Sequence, residues 1–358
     1  MKKIIRIILT SVLMCMFLMI PVSAYNEDNN ETPNTEYTQE DYAFDSMSRY
    51  INASSGNSRD TVYISSPVVL NSYDSGIDNK TVYFAIDGNT LIGMLTVDEV
   101  EGKFVSSYMP INFDELNFIY ESATPFSLNI INESLILSYE NKTVTLIDSH
   151  STANKFKISQ QNFSSNICTL ENTEKKIERT NNAKSVILNM QLSVNRVVNP
   201  SNICWAAVVA QNVNYMNGTS YTAQGIYNLC SNNYSGTPVG NEPWLSRAYN
   251  LCGVNVTVID SARNYSQVYG LLSYSRPLHI RFERTDALGT KHAHGVSISG
   301  ITVFNSPSFY AYYYIVDPNV GTVSIEVPYS TMLDGSDLTY ATSYGYTYTE
   351  WTRTIYKS

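Results

Sequence analysis

The sequence predicts an α+β domain, with amino-terminal helices packed on an antiparallel sheet, preceded by a mostly β unit. Three observations carry this. β-Branched and aromatic runs broken by turn residues extend from about Thr61 to Ile147. Three helix-like segments lie between Cys204 and Leu251, and six further strand-like runs follow them. Helices first and strands after them is an α+β order, not the alternation of a parallel α/β sheet. At 358 residues the chain has room for two ordinary cores.

Residues 1–24 precede either unit. Lys2, Lys3 and Arg6 are basic, Ile7 to Ile20 is apolar, and Val22-Ser23-Ala24 ends in small residues. This is the pattern of a secretory signal peptide, so the mature chain is expected outside the cell with no membrane span. Residues 25–45, rich in Asn, Glu, Asp and Thr, are expected to be a flexible leader. Residues 46–150 are the β-rich unit. Val62 to Ile64, Val82 to Ile86 and Leu91 to Leu95 are strand runs, and Asp87-Gly88-Asn89 is a hairpin turn between the last two. Ser127 to Ile130, Leu135 to Tyr139 and Val144 to Ile147 continue the pattern, with Asp114 to Tyr120 as the one helix candidate.

Residues 151–185 are polar, contain Glu174-Lys175-Lys176 and Arg179-Thr180-Asn181-Asn182, and are expected to be an exposed linker open to proteolysis. Residues 186–358 form the second unit. Its helices run from Cys204 to Met216, Ala223 to Leu229 and Pro243 to Leu251, closed by Gly218 and Gly253 at the first and last. Strand runs follow at Val254 to Ile259, Leu278 to Phe282, Gly295 to Ser299, Tyr310 to Val316, Val323 to Val327 and Tyr346 to Ile355.

Charge divides the chain in the same place. Residues 25–183 hold 10 Lys and Arg against 23 Asp and Glu, whereas residues 184–358 hold 10 against 9. An acidic front half beside a neutral back half points to two units with different roles. Neither has the basic stripe that nucleic-acid binding needs, and no cofactor fingerprint or metal-ligand spacing stands out, so no cofactor is expected. Beyond the signal lie four cysteines, Cys168, Cys204, Cys230 and Cys252, too few for a disulfide scaffold. Cys230 and Cys252 could pair or remain buried thiols.

The chemistry centres on Ser201-Asn202-Ile203-Cys204-Trp205-Ala206-Ala207. Trp205, Val208, Val209, Val213 and Met216 recur at helical spacing, and Ser201 or Asn202 is placed to cap the helix. Cys204 then lies in the first turn, where unpaired amides and the positive end of the dipole favour a thiolate. A thiolate nucleophile needs a base, and the chain has four histidines: His150, His279, His292 and His294. His150 falls in the acidic half, His279 inside a strand run, and His292 beside the exposed loop Asp286 to Lys291. His294 leads into Gly295-Val-Ser-Ile-Ser-Gly300, a small and β-branched run able to pass close beneath another element, and is the favoured partner. Asp317 ends a strongly apolar strand and is followed by Pro318, which stops the ladder. A hairpin at Asn305 to Ser308 returns Asp317 to the level of His294, with Asn319 as the alternative third member.

With Cys204-Trp205-Ala206-Ala207, His294 with glycine six residues on, and Asp317-Pro318, the sequence resembles the papain-like cysteine peptidases. Within them it is most similar to the compact bacterial secreted branch of staphopain and bacteriocin-processing type, which suits the 90 residues between Cys204 and His294. The front half is similar, less specifically, to the β-rich propeptides of such zymogens. The resemblance implies a papain-like fold and a Cys204, His294, Asp317 triad acting on protein or peptide substrates, with the propeptide as an intramolecular inhibitor cut away near the linker. The family places a glutamine six residues before the cysteine to complete the oxyanion hole. Val198 stands there in this chain, and Asn199 is the nearest amide. Two other classes remain open on the residues: a cell-wall amidase or endopeptidase, and a non-catalytic binding protein, the latter suggested by 28 tyrosines.

Overall fold

In the computed structural model the described residues are 37–54, 61–73, 78–100, 102–111, 113–131, 134–147, 167–177, 186–286, 289–304, 310–327, 332, 338–342 and 346–358. The signal peptide, the leader up to residue 36, His150, and residues 151–166 and 178–185 of the predicted linker lie outside them.

The first element is a helix, α1 (Gln39–Ser54), that begins inside the predicted flexible leader. Thr38 and Asp41 form a reciprocal cap: the Asp41 N–H donates to Thr38 Oγ1 at 3.2 Å, and the Thr38 N–H donates to Asp41 Oδ2 at 3.1 Å. Ala43, Met47, Tyr50 and Ile51 then fall at helical spacing on a fully buried face. Acidic composition masked that apolar stripe.

Strands β1 (Val62–Ser65), β2 (Val68–Ser72), β3 (Lys80–Asp87), β4 (Thr90–Val100) and β5 (Lys103–Pro110) follow, then α2 (Asp114–Ser122) and β6 (Phe126–Ile131), β7 (Ser134–Tyr139) and β8 (Lys142–Ile147). The predicted strands are present, with β2 and β5 added. Among the described strands, pairing departs from a purely antiparallel plan where β2 runs parallel to β6, with Leu70 opposite Leu128. Part of the predicted linker is also structured: β9 (Asn172–Ile177) pairs antiparallel with β1. Its Asn-Thr-Glu-Lys-Lys sequence lacks the apolar alternation of a strand. It is held by backbone pairing, the bond from Thr173 Oγ1 to the Ile64 carbonyl at 2.9 Å, and the buried Ile177. Charged residues suit such an edge because they discourage further pairing.

In the back half come β10 (Val186–Gln191), α3 (Cys204–Asn217), α4 (Ala223–Asn233), α5 (Trp244–Leu251), β11 (Val256–Ile259) and α6 (Tyr265–Ser273), then β12 (Leu278–Thr285), β13 (Lys291–Phe304), β14 (Tyr310–Asp317), β15 (Gly321–Val327), β16 (Tyr340–Ala341), β17 (Thr347–Tyr348) and β18 (Glu350–Lys357). This confirms a mixed α+β organisation. Helix α6 was not expected, although Asn264 and Gln267 carry its full capping box. The single strand predicted from Tyr346 to Ile355 is two, β17 and β18.

The two halves share one sheet, whose main path is β11-β18-β12-β13-β14-β15-β5-β4-β3-β2-β6-β7-β8. They join edge to edge where β15 pairs with β5, Ser324 opposite Tyr108 and Ile325 opposite Ser107. Around this seam α1 and Tyr83, Leu95 and Tyr108 share a core with Phe304 and Tyr312 of the back half. Arg49 pairs with Glu326 at 2.9 Å, and the Glu326 N–H donates to Tyr50 Oη at 2.9 Å. Long strand β13 changes neighbours along its length: residues 291–298 lie against β12, and residues 300–304 against β10. Gly300 sits at the change. A Cβ there would meet the Met190 carbonyl oxygen at 2.7 Å and Tyr314 Cδ2 at 2.9 Å, so only glycine fits.

Candidate active site

Cys204 is the first residue of α3, as its helical pattern requires. The cap differs from expectation. Ile203 occupies the N-cap position and supplies no side-chain bond, while Ser201 and Asn202 are exposed. Asn199 supports the turn from behind, its Oδ1 accepting the Ile203 N–H at 3.0 Å. Asn202 adopts φ 51°, a left-handed conformation that asparagine tolerates better than most residues. The Ala206 and Ala207 amides both turn to the Ile203 carbonyl, at 2.9 and 3.1 Å, so the amides left without an intrahelical acceptor at this end are those of Cys204 and Trp205.

Gly295 explains how α3 and β13 come close enough for chemistry. A Cβ at this position would stand 3.5 Å from Trp205 Cα and 3.3 Å from His279 Nε2. The missing side chain lets the strand pass directly under the start of α3. His294 and Gly295 then line the cleft beside Cys204, and their polar groups bear on its sulfur. Burial on its own would raise the thiol pKa, but the His294 bond and charge, with the Gly295 amide, outweigh it and hold Cys204 below its ordinary value.

Asp317 reaches the same point through hairpin register. Ser297 pairs with Val316, so one step further Asp317 faces Val296, two residues from His294 on the same side of the strand. His294 Nε2 lies 3.0 Å from Asp317 Oδ2, leaving the other ring nitrogen toward Cys204. Burial would favour neutral imidazole, yet the Asp317 carboxylate and the Cys204 sulfur together push His294 up to about 10. Asp317 is completely buried, and burial opposes its charge. The His294 partnership, the Tyr340 hydroxyl at 2.7 Å and the Asn319 N–H at 2.7 Å keep its pKa below the ordinary carboxylate value. A thiolate, an imidazolium and a carboxylate in line is therefore the favoured charge state.

The other sequence candidates fall elsewhere. His292 bonds Asp286 at 2.9 Å beside the loop. His279 is fully buried, faces Tyr249 Oη at 3.3 Å, and is pushed down to about 3 by burial and then by the Arg353 charge. Asn319 does not replace Asp317; its side-chain oxygen accepts from Asn199 Nδ2 at 3.0 Å. That bond also decides the position of Asn199, which is 4 % exposed and lies beneath the cleft, spanning the Ile203 amide and the Asn319 side chain. Cys230 and Cys252 are both free thiols in the core around α3 to α5.

Several supporting residues were not singled out by sequence. Gln211, one of the buried positions of α3, accepts the Val197 N–H at 3.2 Å and donates to Ser297 Oγ at 2.9 Å and the Val316 carbonyl at 3.2 Å. It links the loop before Cys204 to the strands carrying His294 and Asp317. Arg196 fixes the turn after Asp317 through the Pro318 and Asn319 carbonyls, at 3.0 and 2.5 Å. Tyr340 and Tyr348 cover the back of the pair, the Tyr348 ring stacking on the His294 imidazole at 5.5 Å. A polar residue inside an otherwise apolar helix stripe is the signal that could have found Gln211. Nothing comparable distinguishes two tyrosines among 28.

A cleft of about 310 Å³ opens over Cys204 and His294. Asn202, Trp205, Val239, Gly240 and Leu245 line one wall, and His279, Arg281, Ala293 and Gly295 the other. All its described lining residues fall between 202 and 295, so none comes from the acidic front half. Among the described residues no cluster of three or more His, Cys, Asp or Glu could hold a metal, and no helix is long and apolar enough to cross a membrane. No protein-family model matches the chain, and no curated protein matches it significantly.

Proposed function

We propose that this chain is an exported cysteine peptidase of papain-like architecture, with α3, α5 and the loop before α5 facing β12 and β13 across its cleft, and with residues 46–150 as a β-rich front unit. The observation that carries the reading is the contact of Cys204, His294 and Asp317 at an open cleft, with the charges favouring the thiolate.

In the reaction the Cys204 thiolate attacks a peptide carbonyl and forms a tetrahedral oxyanion. His294 gives its proton to the departing amine as the C–N bond breaks, leaving a thioester on Cys204. It then takes a proton from water, whose oxygen attacks the thioester and releases the carboxylate product and the thiolate. Asp317 holds the ring in orientation and stabilises its positive form, as the carboxylate of a triad does. The oxyanion donors in this reading are the Cys204 amide at the helix end and the Asn202 side chain, since Asn202 lines the cleft and Asn199 is committed below it.

The test is cleavage of casein by the purified exported chain, with Cys204→Ser beside it and the products identified by mass spectrometry. Cysteine-dependent cleavage is expected. Release of murein fragments with no casein cleavage would move the assignment to a cell-wall amidase. A Cys204 that reacts with iodoacetamide no faster than a free thiol would point to a binding protein.

A further inference from the structure

The ribbon β16–β17 lies between the front half and the His294–Asp317 pair, and its two faces touch different things. Tyr340 pairs with Tyr348, and Ala341 with Thr347. Paired residues share a face and successive residues alternate, so the two tyrosines project to one side and the Ala341 and Thr347 side chains to the other. On the tyrosine side, the Tyr340 hydroxyl donates to Asp317 Oδ2 at 2.7 Å and the Tyr348 ring stacks on His294 with 23° between planes. Toward the front half, Thr347 Oγ1 donates to Asp98 Oδ2 at 2.5 Å and accepts from Lys80 Nζ at 2.8 Å. Lys80 and Asp98 form an ion pair with the Lys80 side chain only 5 % exposed, and Ser107 Oγ donates to the Ala341 carbonyl. Lys80, Asp98 and Ser107 belong to β3, β4 and β5 of the front half.

A charged pair this enclosed is costly without geometry that satisfies it, and here Thr347 bonds both partners. The ribbon is thus gripped by the front half on one side and presses on the imidazole and carboxylate on the other. Among the described residues, those lining the cleft mouth belong to the back half. We infer that the front half acts as a support for the site: through Lys80, Asp98 and Ser107 it seats the β16–β17 ribbon, whose Tyr340 and Tyr348 are positioning residues for Asp317 and His294. This builds on the peptidase reading, in that the pair being positioned is the catalytic one. It predicts that the uncut chain is competent and that loosening the Lys80–Asp98 grip weakens the site from a distance.

The experiment uses the full chain carrying Lys80→Met with Asp98→Leu, which removes both charges together. Cys204 alkylation by iodoacetamide is followed from pH 5 to 11 beside the melting temperature. A fall of about tenfold in the alkylation rate at pH 6, with the alkaline limb moved to lower pH as His294 loses its setting, is expected, together with a lower kcat at unchanged KM. Should the double variant fail to fold, Thr347→Val makes the same comparison by deleting one hydroxyl, and Tyr348→Leu should reproduce its profile where Tyr348→Phe restores the wild-type one. A folded Thr347→Val or double variant with an unaltered alkylation profile overturns the inference. Alkylation needs no turnover, so the two readings separate. A chain that cleaves no peptide but shows the shift loses the peptidase assignment and keeps the support; one that cleaves peptide with no shift does the reverse.

Discussion

The side-chain amide of Asn199 donates to the Asn319 side-chain oxygen at 3.0 Å, tying the loop that leads into Cys204 to the turn that follows Asp317. The same Asn199 accepts the Ile203 N–H, so one buried residue sets the spacing between the Cys204 loop and the Asp317 turn. Asn199→Ala leaves two buried polar groups unpaired and is expected to cost about 2–4 kcal/mol, from roughly 1–3 kcal/mol for each such group with partial relaxation. Urea unfolding measures this, and an unchanged midpoint would show that the tie carries no stability.

Asn202 gives the contrasting case. It is exposed, lines the cleft, and holds a left-handed backbone that glycine adopts without strain. Asn202→Gly is expected to leave the melting temperature close to wild type and to lower kcat by roughly a hundredfold, the usual loss for one oxyanion donor. Alanine would be the poorer test because it adds backbone strain.

The charge state of the site sets its pH range. Cys204 ionises below its ordinary value and His294 holds its proton up to about 10, so the ion pair begins under the ordinary thiol range and extends to about pH 10. The iodoacetamide reaction of wild-type Cys204 should rise below the normal thiol range and stay level until His294 deprotonates near pH 10. In stability terms, the raised His294 pKa contributes fully below the ordinary histidine value and is lost as pH rises through about 10. Asp317 works in the other direction: its depressed pKa contributes above the ordinary carboxylate value and is lost as pH falls through the folded one. Asp317→Asn should narrow the reactive window from the alkaline side.

His279 makes the fold sensitive to acid. Its folded pKa is pushed down to about 3, so between the ordinary 6.5 and that value the unfolded chain binds a proton that the folded chain refuses. Its stabilising contribution is present above 6.5 and falls with acidification, by up to about 1.4 kcal/mol per pH unit. Denaturant unfolding at pH 7, 6, 5 and 4 should show this slope, and His279→Gln should flatten it.

Gly300 is held by backbone on one side and an aromatic ring on the other. Gly300→Ala should destabilise the chain by about 1–3 kcal/mol, the usual cost of overpacking, because the Met190 carbonyl belongs to a paired strand and cannot withdraw. Gly270, which has open space around its Cβ position, provides the control for glycine replacement as such.

Much of the site was legible from residue order because the relevant contacts are local in the fold. Cys204 heads a helix by its apolar period, and His294 and Asp317 stand on neighbouring strands of one hairpin, so strand length alone brings them level. The departures came where composition and contact disagree. Helix α1 hides an apolar stripe among acids, and β9 is a polar segment made into a strand by the edge it meets. A helix cap was assigned to Ser201 or Asn202 by residue type, whereas the loop geometry gives that position to Ile203 and the supporting bond to Asn199.

By itself the sequence determined the α+β order, the principal strands and helices, and the candidate Cys204, His294 and Asp317 set, since period and hairpin length are properties of adjacent residues. Only the tertiary structure decided that β15 meets β5, that the two halves share one sheet, and that Tyr340 and Tyr348 stand between Asp98 and His294. Strand pattern states which side of a strand is buried but not which distant edge it joins. The selection of two tyrosines among many is made by that junction alone.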